Sequence, residues 1–180
     1  DKIDKSLENK INSINSDKKI LFVYDKKIEK KLINQILKIL KNSGCFIVAL
    51  EFQGSKKNKN EKTMLNLIDI MLDNKFTKKS IVISFGGGVL GDVAALAASL
   101  YYRGTIYFNI PSTMTSIIDS CVGGKTGINF RNIINSIGNY YHPNAVFIYN
   151  EVIKSIPNRE FIAGIPEIIK CGLIKKKKGF

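Results

Sequence analysis

Apolar residues alternate along the chain between two patterns. Short, continuously apolar runs, rich in β-branched and aromatic residues, are typical of buried strands. They occupy 18–25, 45–51, 80–85 and 105–111. Between them, at 26–44, at 61–75 and in the stretch from 89 to 102, apolar or small residues recur at helical spacing. Strands that alternate with helices and are apolar on both faces predict an α/β fold with a parallel sheet flanked by helices.

The length and composition of the chain are typical of a domain with one hydrophobic core. The chain has 180 residues, of which 44% are hydrophobic. The basic segment 1–19 lacks the apolar stretch of a signal peptide, and the longest apolar runs have the length of strands rather than membrane spans. The three cysteines, Cys45, Cys121 and Cys171, lack the paired spacing of a disulfide framework or a zinc ribbon. We therefore expect a soluble, cytoplasmic protein with no membrane partner.

The formal net charge of +13 raises the question of a nucleic-acid partner. The basic residues are spread through lysine-, asparagine- and isoleucine-rich sequence, without the aromatic cluster or reading helix that nucleic-acid binding requires. No nucleic-acid partner is therefore predicted. Positive charge of this size still attracts an anionic, phosphorylated small molecule.

The stretch "SFGGGVLGDVAALAASLYYRG" places a glycine cluster after the third predicted strand and before a helix. Gly86, Gly88 and Gly91 match G-x-G-x-x-G, in which glycines let backbone N–H groups approach a pyrophosphate at a helix amino terminus. The alternative is a tight turn with close packing of helix on sheet. Two features differ from a standard dinucleotide site: the glycines follow the third strand, and the strand at 105–111 ends without an acidic residue.

Two further stretches carry candidate chemistry. In "DSCVGGKTGIN" (119–129), a glycine pair precedes Lys125, but the spacing is not that of a phosphate-binding Walker motif. Lys125 is either a point charge for a phosphate or carboxylate, or a solvated loop lysine. Near the end of the chain, Glu167 and Lys170 are three residues apart, a spacing that by itself indicates an ordinary exposed ion pair on a helix.

Together with "IGNYYHPNAVFI" and "SIPNREFIAGIPEIIKCGLI", these stretches resemble the 3-dehydroquinate synthase family over about residues 81–174. The resemblance implies a Rossmann-like NAD-binding domain at 1–155, followed at 156–180 by the first helix of a helical domain that is otherwise missing. The chain is thus expected to be an N-terminal half, inactive alone. The implied shikimate-pathway reaction is a lyase reaction, which converts 3-deoxy-D-arabino-heptulosonate 7-phosphate to 3-dehydroquinate and phosphate. It uses catalytic NAD and a divalent metal, zinc or cobalt.

The resemblance also implies roles for individual residues. NAD contacts fall on Asp25, Lys62, Gly87, Gly88, Val89, Leu90, Gly91, Asp92, Ser112, Thr113, Lys125, Val152, Ile153, Lys154 and Ser155. Catalytic contacts to the sugar-phosphate substrate fall on Arg103, Asp119, Lys125, Asn135 and Lys170. Arg103 matches an arginine that reaches the substrate bound in the neighbouring subunit, which implies a homodimer. Glu167 matches a metal ligand.

The sequence departs from the family at several positions. Ile134 replaces an NAD-contacting lysine, and in the segment 58–62 only Lys62 fits the family's element. Pro166 precedes Glu167, where it removes a helix hydrogen bond unless it lies in the first turn. The family's two metal-binding histidines belong to the missing domain, and His142 is in a different segment. Two alternatives therefore remain: a non-catalytic nucleotide-binding remnant, and a related sugar-phosphate cyclase.

Overall fold

The computed structural model of the protein describes residues 5–14 and 16–175. Helices and strands alternate along most of this length. The helices are α1 Lys5–Ser13, α2 Lys30–Asn42, α3 Glu61–Asp73, α4 Gly88–Leu100, α5 Asn150–Lys154 and α6 Asn158–Lys175. The strands are β1 Lys19–Asp25, β2 Phe46–Phe52, β3 Ile81–Gly86, β4 Ile106–Pro111, β5 Lys125–Phe130, β6 Ile133–Tyr140 and β7 Ala145–Val146. The predicted α/β class is confirmed.

Five strands form one parallel sheet in the order β2-β1-β3-β4-β7. From β1 the chain first adds β2 on one side and then returns to add β3 on the other side. The strand order therefore reverses between β1 and β3, whose carboxyl ends carry Asp25 and Gly86. Ligands of open α/β sheets bind at such a switch point, outside the carboxyl ends of the strands.

Two apolar clusters cover the two faces of this sheet. Leu21 and Val23 of β1 belong to the cluster that contains α3 and α4, whereas Ile20 and Phe22 belong to the cluster that contains α1 and α2. Successive residues of a strand point to opposite faces. Because both faces are packed, the inner strands are apolar at most positions, as the pattern predicted; Ser84 and Asn109 are buried polar exceptions.

The edges of the molecule differ from the sequence-based expectation. Strand β2 was predicted to be buried, but it lies at the sheet edge, and the Phe46 side chain is 54% exposed. The segment 1–19 was interpreted only as basic sequence, yet it contains α1, whose Leu7 and Ile11 are buried. Their spacing of four residues places both on one helix face, and this face packs towards α2.

Strands β5 and β6 form a separate antiparallel hairpin that was not predicted. Lys125, for which a solvated loop position was one of two alternatives, begins β5. Gly127 pairs with Gly138, and a Cβ atom on Gly138 would lie only 2.0 Å from the carbonyl oxygen of Thr126. The two strands therefore approach more closely than side chains would permit. Because β6 is exposed along its whole length, it has no apolar run to reveal it in the sequence.

Helix α6 follows α5 and packs against the segment near Met114 through Gly164, where an added Cβ would lie 2.4 Å from the Met114 Cβ. Pro166 lies well inside α6 rather than in its first turn, so the backbone hydrogen bond from that position is lost. The predicted domain boundary at 155/156 falls between α5 and α6 and stays a prediction. Within residues 5–14 and 16–175, each helix lacks the length or the apolar character that a membrane span requires.

Candidate cofactor and substrate site

A cavity of about 370 Å³ lies at the carboxyl ends of β1, β3 and β4, at the switch point of the sheet. We call it the strand-end cavity. Nine of the residues predicted to contact NAD line it: Asp25, Gly87, Gly88, Val89, Leu90, Ser112, Thr113, Val152 and Ser155. Sequence reasoning missed other lining residues, which come from the loops after β1, β2 and α5 and from the start of α6: Lys27, Ile28, Glu29, Gly54, Ile156, Pro157 and Glu160.

The amino terminus of α4 opens into the strand-end cavity. Gly87 is the N-cap residue and has no side chain that could bond the first N–H groups of the helix. A Cβ atom on Gly87 would lie 3.1 Å from Cγ2 of Thr113, and one on Gly88 would lie 3.2 Å from Oγ of Ser120. The turn is therefore tightly packed, and it leaves backbone donors at a helix amino terminus, where the helix dipole favours an anion; anion binding by these glycines stays a prediction.

Asp25 supplies a fixed carboxylate at the wall of this cavity. The residue is only 8% exposed, and its Oδ1 accepts a hydrogen bond of 3.0 Å from the Lys27 backbone N–H. Gly54 makes room for it, because a Cβ on Gly54 would lie 1.9 Å from Asp25 Oδ2. The acidic residue that is absent from the end of β4 is thus present at the end of β1, beside the glycine turn, where it can accept a ribose hydroxyl.

A second cavity, of about 310 Å³, lies between α4 and the β5–β6 hairpin, and we call it the hairpin cavity. Asp92, Lys125 and Asn135 line it, so the structure brings together a predicted NAD contact (Asp92), a predicted substrate contact (Asn135) and a lysine predicted to contact both (Lys125). Lys59, which sequence reasoning missed, forms an ion pair of 2.5 Å with Asp92 and donates a hydrogen bond of 2.6 Å to Asn135 Oδ1. Burial raises the pKa of Asp92 above its usual range, and Lys59 opposes that shift.

A hydrogen-bond network under α4 connects Gly91 to strands β3 and β4. The Tyr107 hydroxyl is 2.7 Å from Ser84 Oγ and 3.3 Å from the carbonyl oxygen of Gly91, to which it donates. Complete burial raises the pKa of Tyr107 far above its usual value, so this hydroxyl stays neutral. Gly91 and Asp92 line the clefts on the hairpin side of α4, whereas Gly87 to Leu90 line the strand-end cavity.

Several predicted site residues line neither cavity. Among the described residues these are Lys62, in the first turn of α3; Gly91, in α4; Arg103, in the turn after α4; Asp119, in the π-helical turn Ser116–Ser120; Ile153 and Lys154, in α5; and Glu167 and Lys170, in α6. Lys62, Arg103, Asp119 and Lys154 are exposed. Asp119 still lies close enough to Asp92 for its charge to contribute to the raised pKa of that carboxyl.

The predicted metal ligand Glu167 forms an ion pair with Lys170 one helical turn away. Within residues 5–14 and 16–175, the side chains of His, Cys, Asp and Glu do not form any group of three that could hold a metal ion. His142 is exposed, and its ring packs where a side chain on Gly124 would lie. Since a zinc site needs at least three protein ligands, the described residues do not make one.

The glycine turn and the hairpin lysine Lys125 lie in a part of the chain that matches a known family. The model of the family described as "3-dehydroquinate synthase N-terminal" matches residues 49–163, which is more than half of the chain. This chain belongs to that family. Over 167 residues it is 38% identical to a 3-dehydroquinate synthase of Prochlorococcus marinus (strain MIT 9312), and the match covers 93% of this chain but 46% of the relative. The chain thus spans about half the length of the curated relatives it matches.

Solved structures of sugar-phosphate cyclases have the same fold. A 2-deoxy-scyllo-inosose synthase complexed with carbaglucose-6-phosphate, NAD+ and Co2+ superposes with a TM-score of 0.82 at 25% identity, covering 91% of this chain and 45% of that one. A 2-epi-5-epi-valiolone synthase from Streptomyces hygroscopicus subsp. jinggangensis 5008, with NAD+ and Zn2+ bound, gives a TM-score of 0.78 at 30% identity, covering 84% and 42%. NAD and a divalent metal are therefore found together in structures related to this family.

Proposed function

We propose that this chain is the NAD-binding part of a 3-dehydroquinate synthase, a lyase that converts 3-deoxy-D-arabino-heptulosonate 7-phosphate to 3-dehydroquinate and phosphate. The observation that carries the proposal is the strand-end cavity, where the uncapped amino terminus of α4 faces the Asp25 carboxylate across the switch point of the sheet. Family membership supports the same assignment.

The strand-end cavity suits a dinucleotide. The backbone N–H groups at Gly88 and Val89 serve the diphosphate, since no side chain at Gly87 or Gly88 blocks their approach. The Asp25 carboxylate accepts a hydroxyl of a ribose. NAD, when bound, supplies the acceptor for a hydride from a substrate alcohol.

The hairpin cavity suits the sugar phosphate. Lys125 provides an exposed positive charge at its rim, and Asn135 provides an amide in its wall. Asp119 and Lys170 complete the proposed substrate contacts, and Arg103 serves the site of a second subunit in a homodimer. A cytoplasmic location belongs to the same proposal.

The identity of the substrate rests on the relatives. Curated 3-dehydroquinate synthases are 37–41% identical to this chain, whereas the solved structures of other cyclases are 25–30% identical. The heptulosonate phosphate is therefore favoured over the substrates of the other cyclases. A titration that compares it with glucose 6-phosphate, the parent of the carbaglucose analogue, distinguishes the two classes.

Cofactor binding is tested by calorimetric titration of the chain with NAD. Replacing Gly88 with valine fills the space beside Ser120 and covers the backbone donors of α4, so binding should be lost while the far-UV circular dichroism spectrum stays the same. Gly123→Val is the matched control, because among the described residues an added Cβ there meets the Asp119 carbonyl oxygen alone, at 3.8 Å. Equal affinity of the Gly88→Val variant and the wild type would refute the cofactor assignment.

Catalysis is tested by phosphate release from 3-deoxy-D-arabino-heptulosonate 7-phosphate in the presence of NAD and Zn2+. We expect no release by the 180-residue chain alone, because its described residues supply Glu167 but no group of three metal ligands. Adding the separately expressed C-terminal half of a curated relative should produce release. A chain that is as active alone as in the mixture would show that the metal site is built differently.

A further inference from the structure

Lys59 has an unusual position for a lysine. It lies in the polar segment between β2 and α3, yet its side chain is only 12% exposed. A lysine is seldom buried to this degree unless its charge is paired. Its ammonium group contacts the carboxylate of Asp92 on α4 and the carboxamide oxygen of Asn135 on β6.

The backbone around Lys59 is held as firmly as its side chain. The Asn129 N–H donates to the Lys59 carbonyl oxygen at 2.9 Å, and Asn60 and Asn129 form a parallel bridge. The side chain of Asn129 in turn accepts a hydrogen bond of 3.0 Å from the Asn135 backbone N–H. Lys59 therefore connects the segment before α3, helix α4 and the hairpin at the wall of the hairpin cavity.

The contact with Lys59 determines which end of the Asn135 amide is available to a ligand. An asparagine side chain has one acceptor oxygen and one NH2 donor group. An ammonium group only donates, so it selects the oxygen end, and the NH2 group is left as the end that can serve a ligand. Asn135 and the exposed cation Lys125 line the same cavity, so a donor and a positive charge face one space.

Lys59 and Lys125 differ in what they can do. The charge of Lys59 is matched by Asp92 at 2.5 Å, so it adds little net attraction for an anion in the cavity. Lys125 is exposed at the rim and retains that attraction. The two lysines are therefore suited to different roles: Lys125 can attract an anionic ligand, and Lys59 can orient the neutral amide of Asn135.

We propose that Lys59 is a positioning residue of the hairpin cavity, which fixes the Asn135 amide with its NH2 group towards the oxygen atoms of a bound phosphorylated sugar. The nature of that ligand rests on the proposed function, whereas the orientation of the amide does not. Lys59→Met removes the charge at similar length, Lys59→Arg keeps it, and Lys57→Met, at an exposed lysine two residues away, is the control.

Two measurements on the 180-residue chain test the proposal. The first is the side-chain amide resonance of Asn135 in a nitrogen–proton NMR spectrum. It should shift in Lys59→Met, and it should stay near the wild-type position in Lys59→Arg and Lys57→Met. The second is calorimetric affinity for 3-deoxy-D-arabino-heptulosonate 7-phosphate, which should fall about tenfold in Lys59→Met, as expected for one misplaced hydrogen bond, and recover in Lys59→Arg.

The outcomes separate the possible failures. An unchanged Asn135 amide together with unchanged affinity in folded Lys59→Met overturns the positioning role. A purely structural role lowers the melting temperature but moves neither the amide resonance nor the affinity of the folded protein, so that result also overturns it. If the wild type does not bind the sugar phosphate, the assignment of the hairpin cavity to that ligand fails and the amide resonance alone decides the role of Lys59. If Lys59→Met does not fold, the same measurements are made on Lys59→Met/Asp92→Asn, which removes the unpaired carboxylate.

Discussion

The substitution Gly54→Ala tests whether the Asp25 carboxylate is held in place by the space that Gly54 leaves. An added Cβ would lie 1.9 Å from Asp25 Oδ2 and 3.0 Å from its Cγ. This is about 1.6 Å short of the roughly 3.5 Å at which two such atoms pack favourably. The carboxylate must therefore rotate away, and it gives up the hydrogen bond from the Lys27 N–H.

The magnitude follows from these contacts. Loss of a hydrogen bond to a charged acceptor costs about 1.5–3 kcal/mol, and replacing glycine by alanine returns about 0.4–1 kcal/mol by restricting the unfolded chain. The free energy of unfolding should thus fall by about 1–2 kcal/mol. If the carboxylate accepts a ribose hydroxyl, its displacement should weaken NAD binding by about tenfold to a hundredfold.

The assays are urea unfolding and calorimetric titration with NAD. Gly123→Ala is the matched control, because its new methyl group meets only the Asp119 carbonyl oxygen at 3.8 Å. Asp25→Asn should weaken NAD binding as Gly54→Ala does, without the steric conflict. If Gly54→Ala matches Gly123→Ala in both stability and NAD affinity, then Gly54 does not hold Asp25 in a functional position and the reasoning fails.

Three further results are expected. Gly138→Ala should separate the hairpin strands and lower the free energy of unfolding by about 1–3 kcal/mol, because the new Cβ meets the Thr126 carbonyl oxygen at 2.0 Å. An unchanged urea midpoint would contradict this. Tyr107→Phe should lower the free energy of unfolding by about 1–2 kcal/mol in the same assay, because Ser84 and the Gly91 carbonyl group lose a hydrogen-bond partner. An unchanged free energy would mean that this network does not stabilise the fold. Burial raises the pKa of Asp92 in the folded state, so the contribution of this carboxyl to the free energy of unfolding is present below its ordinary pKa of 3.8 and is lost as the pH rises through the folded pKa. Asp92→Asn should flatten that part of the pH–stability curve, and parallel curves for the variant and the wild type would contradict this.

Periodicity could predict most of the sheet and its helices, because strands packed on both faces must be apolar along their whole length. Ile20, Leu21, Phe22 and Val23 show this directly: they are completely buried, and they alternate between the two clusters. The glycine turn after β3 was equally accessible from sequence. Glycine is needed there for space, because a Cβ on Gly87 would lie 3.1 Å from Cγ2 of Thr113 and one on Gly88 would lie 3.2 Å from Oγ of Ser120.

The hairpin and its contacts could not be predicted in this way. Strand β6 is exposed, so its sequence does not have the apolar pattern of a buried strand. The pairing of Gly127 with Gly138 depends on how two separate backbone segments pack together. The same holds for Lys59. In the sequence it is one more lysine in a polar segment, and Lys62 fits the family's element better. Only the folded chain brings it between Asp92 and Asn135.

The sequence by itself determined the α/β class, the family and the glycine turn, because each depends on local residue order and on which positions must be apolar. Tertiary structure decided where the candidate site residues lie. It separated Gly87 to Leu90 from Gly91 and Asp92 on the two sides of α4, placed Asp25 against Gly54, and paired Lys59 with Asp92. These contacts join segments from different elements, so they depend on the packing of the whole sheet and its helices, which no local pattern encodes.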